Sequence, residues 1–195
     1  RLVLAEQYPS SKELLEFTTS NTRRLWEKSS THEDFLSLRL GTGDMPSPNG
    51  IEGAKEDLGS EHDPLNDHME EIQEKFKTLH QVPAAVSLYE HRLLGVVSGD
   101  EEKRDQLMRL LALQITDLHP YTDVRMCYVF PGRDHEKMEY TRWLPHNYTP
   151  DGKLRMNVCD PRAMGDGKYY LSDVIRERLE AGEDRKDREE VEKKL

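Results

Sequence analysis

The stretch "LLGVVSGDEEKRDQLMRLLALQI", residues Leu93 to Ile115, decides the reading of the fold. Leu93 to Ser98 is a short apolar, partly β-branched run of the kind that forms a strand, and Gly99 permits a tight turn. From about Glu101 to Leu118 the apolar residues fall at helical spacing, with Leu107, Leu110, Leu111, Gln114, Ile115 and Leu118 on one face to pack on a sheet. Pro120 ends that helix. Strand, glycine turn and helix form the frame on which nucleotide-binding proteins hold phosphates.

The residues at the junction withhold the chemistry. A working phosphate loop needs glycines for close backbone approach, a lysine for phosphate charge, and Ser or Thr on the metal. Here the run is Gly99, Asp100, Glu101, Glu102, Lys103, Arg104, and the Gly-Lys-Ser/Thr ending is missing. A carboxylate about 4 Å from a phosphate costs on the order of 4 kcal/mol at an effective dielectric of ~20. The dipole favours acidic residues in a helix's first turn with no ligand present. The turn therefore reads as a degenerate phosphate site, with no catalytic, metal-binding or cofactor-binding residue assigned.

Working outward, Ser10 and Glu13 have capping-box spacing and start a helix over about 10–24. "FLSLRL", Phe35 to Leu40, alternates as a half-buried strand does. Gly41 to Leu65 is rich in Gly, Pro, Asp, Glu and Asn and reads as a mobile surface segment, with a short extended stretch near Ile51. Met69, Ile72, Phe76 and Leu79 mark a helix over about 65–79. Val82 to Leu88 pairs with Leu93 to Ser98 across a polar turn, "YEHR". Val124 to Phe130, "VRMCYVF", reads as a central strand covered on both faces, and Leu154 to Val158 as a further strand. Leu171 to Ala181 is a helix with Gly182 as its stop. The order of elements is a crossover pattern, which implies an α/β fold with a partly parallel sheet, flanking helices and an N-terminal helix.

The 195 residues fit one domain, or one domain with appendages. The 38 acidic residues exceed the 28 basic ones, and the net charge of −10 opposes contact with nucleic acid, which needs cations to neutralise phosphates. Cys127 and Cys159 lie in or at the end of apolar runs and read as reduced, buried thiols. The eight histidines lack partners at metal-ligand spacing. His32-Glu33-Asp34 reads as a polar turn, Asp160-Pro161 as a strand end, and Trp143-Leu144-Pro145-His146 as a buried aromatic beside a turn. No base is positioned to make Cys159 a nucleophile. Leu25 and Trp26 end a polar helix and should clasp it to the body of the domain.

Arg24-Leu25-Trp26-Glu27, Asp34-Phe35-Leu36 and Leu38-Arg39-Leu40-Gly41-Thr42-Gly43 resemble the segment after the membrane anchors in EssC/EccC proteins. These are membrane-bound FtsK/SpoIIIE-type ATPases of type VII secretion. The resemblance continues through "DPL" (Asp63 to Leu65), "VPAAVSL" (Val82 to Leu88), "LLGVVSGDEEKR" and "TRWLPHNY" (Thr141 to Tyr148). It implies a degenerate, P-loop-ATPase-like (FtsK-like) domain preceding the first motor domain, on the cytoplasmic side of the bacterial membrane. It divides the chain into a stalk-proximal helix and linker over 1–30, the ATPase-like domain over 31–182 with a mobile loop at 43–64, and a charged helix or frayed end over 183–195. Further strands are implied beyond Leu195, which would leave the chain cut within the domain.

The function implied is non-catalytic, coupling the membrane stalk to the ATPase domains in protein export. ATP and Mg belong to the parent protein and no cofactor to this segment. The implied partners are other domains of the same motor, other type VII secretion membrane and cytosolic subunits, and small helical-hairpin substrates of the parent. Two alternatives stay open: a weak ATP-binding or ATPase domain using Lys103 or Arg104, and a fragment of an FtsK-like DNA translocase.

Overall fold

A computed structural model describes residues 2–47, 64–159 and 164–192. They belong to two compact units, one ending at Pro120 and the other beginning at Tyr121.

The first unit opens with α1 (Leu2–Gln7) and α2 (Ser11–Ser20). The capping box starts α2: Ser10 Oγ accepts from the Glu13 N–H, and the Glu13 carboxylate accepts from the Ser10 N–H at 2.7 Å. Asn21, in the left-handed region at φ 47°, ends it by donating to the Phe17 carbonyl. Leu14 and Phe17 of α2 form the core with Leu118, and Leu110 and Leu113 pack at its edge. β1 (Ser37–Pro46) pairs antiparallel with β2 (Thr78–Ser87), which follows α3 (Pro64–Lys77). β1 runs beyond the strand read from sequence and takes in Gly41 to Pro46, whose composition reads as a surface segment. Two irregularities absorb these residues, between Arg39 and Gly41 and between Gly43 and Met45. Asp44 braces the second, accepting from the Gln81 N–H at 3.1 Å and pairing with His80. The remainder of the expected mobile loop, with Ile51, lies outside the described residues.

The expected strand Leu93 to Ser98 does not form. After β2 the chain turns through α4 (Leu88–His91), where Ser87 Oγ accepts from the Glu90 N–H and Arg92 caps in the left-handed region at φ 58°. The segment leaves that cap in irregular conformation, with Val97 99% exposed. α5 (Glu101–Leu118) has the bounds and apolar stripe read from sequence, and it packs within this unit on β1 and α2.

In the second unit, β3 (Tyr128–Val129) pairs in parallel with β4 (Asn157–Val158). The run Val124 to Phe130 is thus not a central strand covered on both faces. Only two of its residues are paired, and Val129 is 72% exposed. Polar side chains help fill this interior: Thr141, His146 and Asn147 are buried beside Met156 and Val158. Asn147 Nδ2 donates to the Thr141 carbonyl at 3.2 Å, so the buried amide is not left unsatisfied. Trp143, read as buried, is 78% exposed with the Arg142 guanidinium 5.2 Å from its ring. α6 (Met164–Glu192) begins earlier and passes through Gly182, so that glycine is a helix-interior residue and no stop.

Among the described residues the architecture is mixed α/β, with one antiparallel and one parallel pair of strands. A single crossover sheet is absent among the described residues, because the strand that should precede α5 is unpaired.

Candidate functional site

The N-terminus of α5 is where a phosphate would be held, since the first amides of a helix have no partner within it. Here the chain supplies its own anion. Asp100 is the N-cap, and its Oδ1 accepts from the Glu102 N–H at 3.0 Å and the Lys103 N–H at 3.2 Å. Ser98 fixes the approach: its Oγ donates to the Asp100 carbonyl and accepts from the Asp100 N–H. Lys103 Nζ lies 3.7 Å from Asp100 Oδ2, and Arg104 pairs with Asp105 at 3.0 Å. A Cβ added at Gly99 would meet nothing within 4 Å, so no close approach requires that glycine. The structure brings Gly99, Asp100, Glu101, Glu102, Lys103 and Arg104 together as a self-capped turn whose cations face its own carboxylates.

The other end of α5 is equally self-contained. The last four carbonyls of a helix also lack internal partners. Ile115 O accepts from the His119 N–H at 3.1 Å, Thr116 O from Trp26 Nε1 at 2.9 Å, Asp117 O from the Trp26 N–H at 2.7 Å, and Leu118 O from the Lys28 N–H at 2.8 Å. Trp26 holds the end of α5 through these two hydrogen bonds but stays 41% exposed, so it is not the buried anchor that the sequence reading called for. Two side chains then tie α5 to β1 and the residue before it. Gln114 presents its amide to the Arg39 backbone, accepting at 2.7 Å and donating at 2.8 Å, as a neighbouring strand would. His119 Nε2 accepts from the Leu36 N–H at 3.0 Å.

Beneath this clasp lies a buried ion pair. Lys28 is 3% exposed; its Nζ sits 2.7 Å from Asp34 and donates to the Gln7 carbonyl at 3.1 Å. Burial pushes the Asp34 carboxyl up, but the hydrogen bond and charge of Lys28 outweigh it and hold the group below its ordinary value. Burial, helped by the Lys28 charge, pushes His119 down to about 4. A neutral imidazole is the form that can accept from Leu36. Burial pushes Asp117 up. A cavity of about 430 Å³ beside this pair is lined by Tyr8, Glu33, Ser37, Ser87, Glu90 and His91 among others.

His32 belongs to a turn, its Nδ1 accepting from the Ser29 N–H. Among the described residues no group of three or more His, Cys, Asp or Glu side chains is placed to hold a metal. Cys127 and Cys159 are free and half-buried, and burial raises the Cys127 thiol. Asp160-Pro161 lies outside the described residues. Among them no helix is long and apolar enough to cross a membrane.

Comparison with known proteins places these features in context. The chain is 27% identical over 188 residues to the ESX secretion system protein EccC of Geobacillus thermodenitrificans, covering 95% of this chain and 13% of that protein. It is 28% identical over 177 residues to the ESX secretion system protein YukB of Bacillus subtilis, covering 90% and 12%. The chain is similar to one segment of the EccC, YukB and EssC secretion proteins. The type VII secretion system protein EssC of Staphylococcus aureus is 25% identical over 185 residues, covering 95% of this chain and 12% of its own. The chain thus spans about an eighth of the length of these relatives. No protein-family model matches it. The 188 residues matched to EccC take in parts of both compact units.

Proposed function

We propose that this segment is a non-catalytic, ATPase-like module of a membrane-bound type VII secretion motor, which couples the membrane stalk to the ATPase domains during export. The observation that carries this reading is α5 itself: Asp100 fills its N-terminus, and Trp26 and Lys28 fill its C-terminus. With the Glu102 and Lys103 amides held by that cap, a phosphate would have to displace the Asp100 carboxylate to reach them. A helix whose last carbonyls hold the preceding segment transmits force from that segment to the β1–β2 hairpin through Gln114. Of the strand, turn and helix read from sequence, only the turn and helix remain, kept for their rigidity. ATP and Mg act in the motor domains of the parent, and other type VII secretion membrane and cytosolic subunits are the neighbours.

The test uses the full-length secretion protein in membranes. Trp26→Phe combined with Gln114→Ala should leave ATP hydrolysis by the motor domains within about twofold and sharply reduce substrate export. Export at the unaltered level, with the paired substitutions shown to loosen the segment by proteolysis, excludes a coupling role.

A further inference from the structure

We propose that the second unit carries a binding site for an extended, proline-bearing acidic peptide, with Arg125 as the group that takes its carboxylate. This goes beyond the coupling role and does not depend on it. The site is an open groove of about 320 Å³ lined by Tyr121, Arg125, Pro145, Tyr148, Thr149, Pro150 and Gly152. Two of these, Pro145 and Tyr148, come from "TRWLPHNY", a stretch to which the self-capped turn and the clasp give no role.

Among the described residues Arg125 is the only charged one lining the groove. Its guanidinium is held in place before any ligand arrives. Nη1 donates to the Pro145 carbonyl at 3.1 Å and to the Tyr148 carbonyl at 3.0 Å, while the planar group lies 5.5 Å from the Tyr121 ring. Among the described residues Nε and Nη2 make no further hydrogen bond or ion pair, so donors remain for an incoming group. A fixed guanidinium with spare donors selects a carboxylate over a neutral amide, because the hydrogen bond is charge-assisted and little side-chain freedom is lost.

The nearby acids are already engaged. Asp151 accepts from Thr149 Oγ1 and the Lys153 N–H within its own turn, and Asp123 accepts from Thr122 Oγ1. The walls specify the rest of the ligand. Tyrosine rings and prolines around a shallow apolar groove are the surface on which a polyproline II segment docks, its prolines stacking on the rings while its backbone stays extended. Tyr148 is set for this by its hydroxyl, which donates to the Arg142 carbonyl at 2.9 Å. Gly152, at φ 71°, closes the turn that forms the far wall.

The test is a titration of the isotope-labelled chain, followed by amide NMR, with a blocked proline-rich hexapeptide carrying one central glutamate and with its glutamine counterpart. The glutamate peptide should give saturable shifts centred on Tyr148, Thr149 and Gly152 and bind about tenfold or more tightly than the glutamine one, the discrimination expected of a charge-assisted bond. Arg125→Lys should keep the location of the shifts and lose most of the preference. Because Arg125 also latches two carbonyls, the comparison of the two peptides on the unaltered chain is decisive. Equal binding of both peptides, shifts centred elsewhere, or no shifts overturns the proposal. Equal shifts with sodium acetate also overturn it, since the groove would then hold a bare carboxylate.

Discussion

Asp100 takes the two amides that a phosphate would have to claim, and its worth can be measured alone. Asp100→Ala should cost about 1 kcal/mol in urea melts, whereas Asp100→Asn, which can cap as well, should stay within a few tenths. Lys103→Ala should leave stability unchanged, because an exposed pair at 3.7 Å is worth little. His119 gives a pH dependence of known sign. Its folded-state value of about 4 lies below the ordinary 6.5, so the unfolded chain takes up the proton first. The contribution is full above ~6.5 and is lost as pH falls towards ~4, with a slope approaching ~1.4 kcal/mol per pH unit. Asp34, held low, loses stability in the same direction, and Asp117, held high, works in the opposite one. The difference between the unaltered chain and His119→Gln isolates the imidazole, since glutamine keeps an acceptor for Leu36 and cannot titrate. A difference that stays flat from pH 7 to 4 contradicts the assignment.

At the scale of elements, α5 is the organising piece, and its ends and its face make separable predictions. Leu14→Ala, at the α2–α5 core, should cost about 2–5 kcal/mol, as buried leucines do. Trp26→Phe keeps the ring and removes the donor to Thr116, and should cost about 1 kcal/mol. In a Trp143→Phe background, the half-exposed Trp26 should show intermediate emission and partial acrylamide quenching; fully red, freely quenched emission contradicts the clasp. Much of α5 was legible in the sequence, because a stripe of 3.6-residue period, an acidic first turn and Pro120 are all local signals. The capping box at Ser10 was legible for the same reason. The strands were not. An apolar run such as Leu93 to Val97 reads as a strand, yet a strand exists only when a partner edge reaches it, which no window of sequence records. The Ser87–Glu90 spacing that caps α4 was a local sign that the chain turns there, and reading "YEHR" as a hairpin turn missed it. β1 was cut short because Gly41, Gly43 and Asp44 look like loop residues until the irregular pairing that accommodates them is seen. The hydrogen bonds of Trp26 and Gln114 join residues 90 and 75 positions apart and have no local signature.

At the scale of the molecule, a net charge of −10 should keep this segment off DNA. A gel-shift assay in low salt should show no retardation at micromolar protein, and a salt-sensitive shift would revive the translocase alternative. The candidate site was legible in what it lacks, since the missing Gly-Lys-Ser/Thr ending is a matter of residue order. How the vacancy is filled was less so: Asp is a favoured N-cap, but the sequence alone left Asp100 as one carboxylate among three. If the Asp100 carboxylate stands where a nucleotide phosphate would sit at α5, this turn should not bind ATP. Isothermal calorimetry of the chain with Mg-ATP tests it most directly. No binding tighter than about millimolar is expected, a free energy of only ~4 kcal/mol. A micromolar dissociation constant that disappears in Lys103→Ala would contradict it.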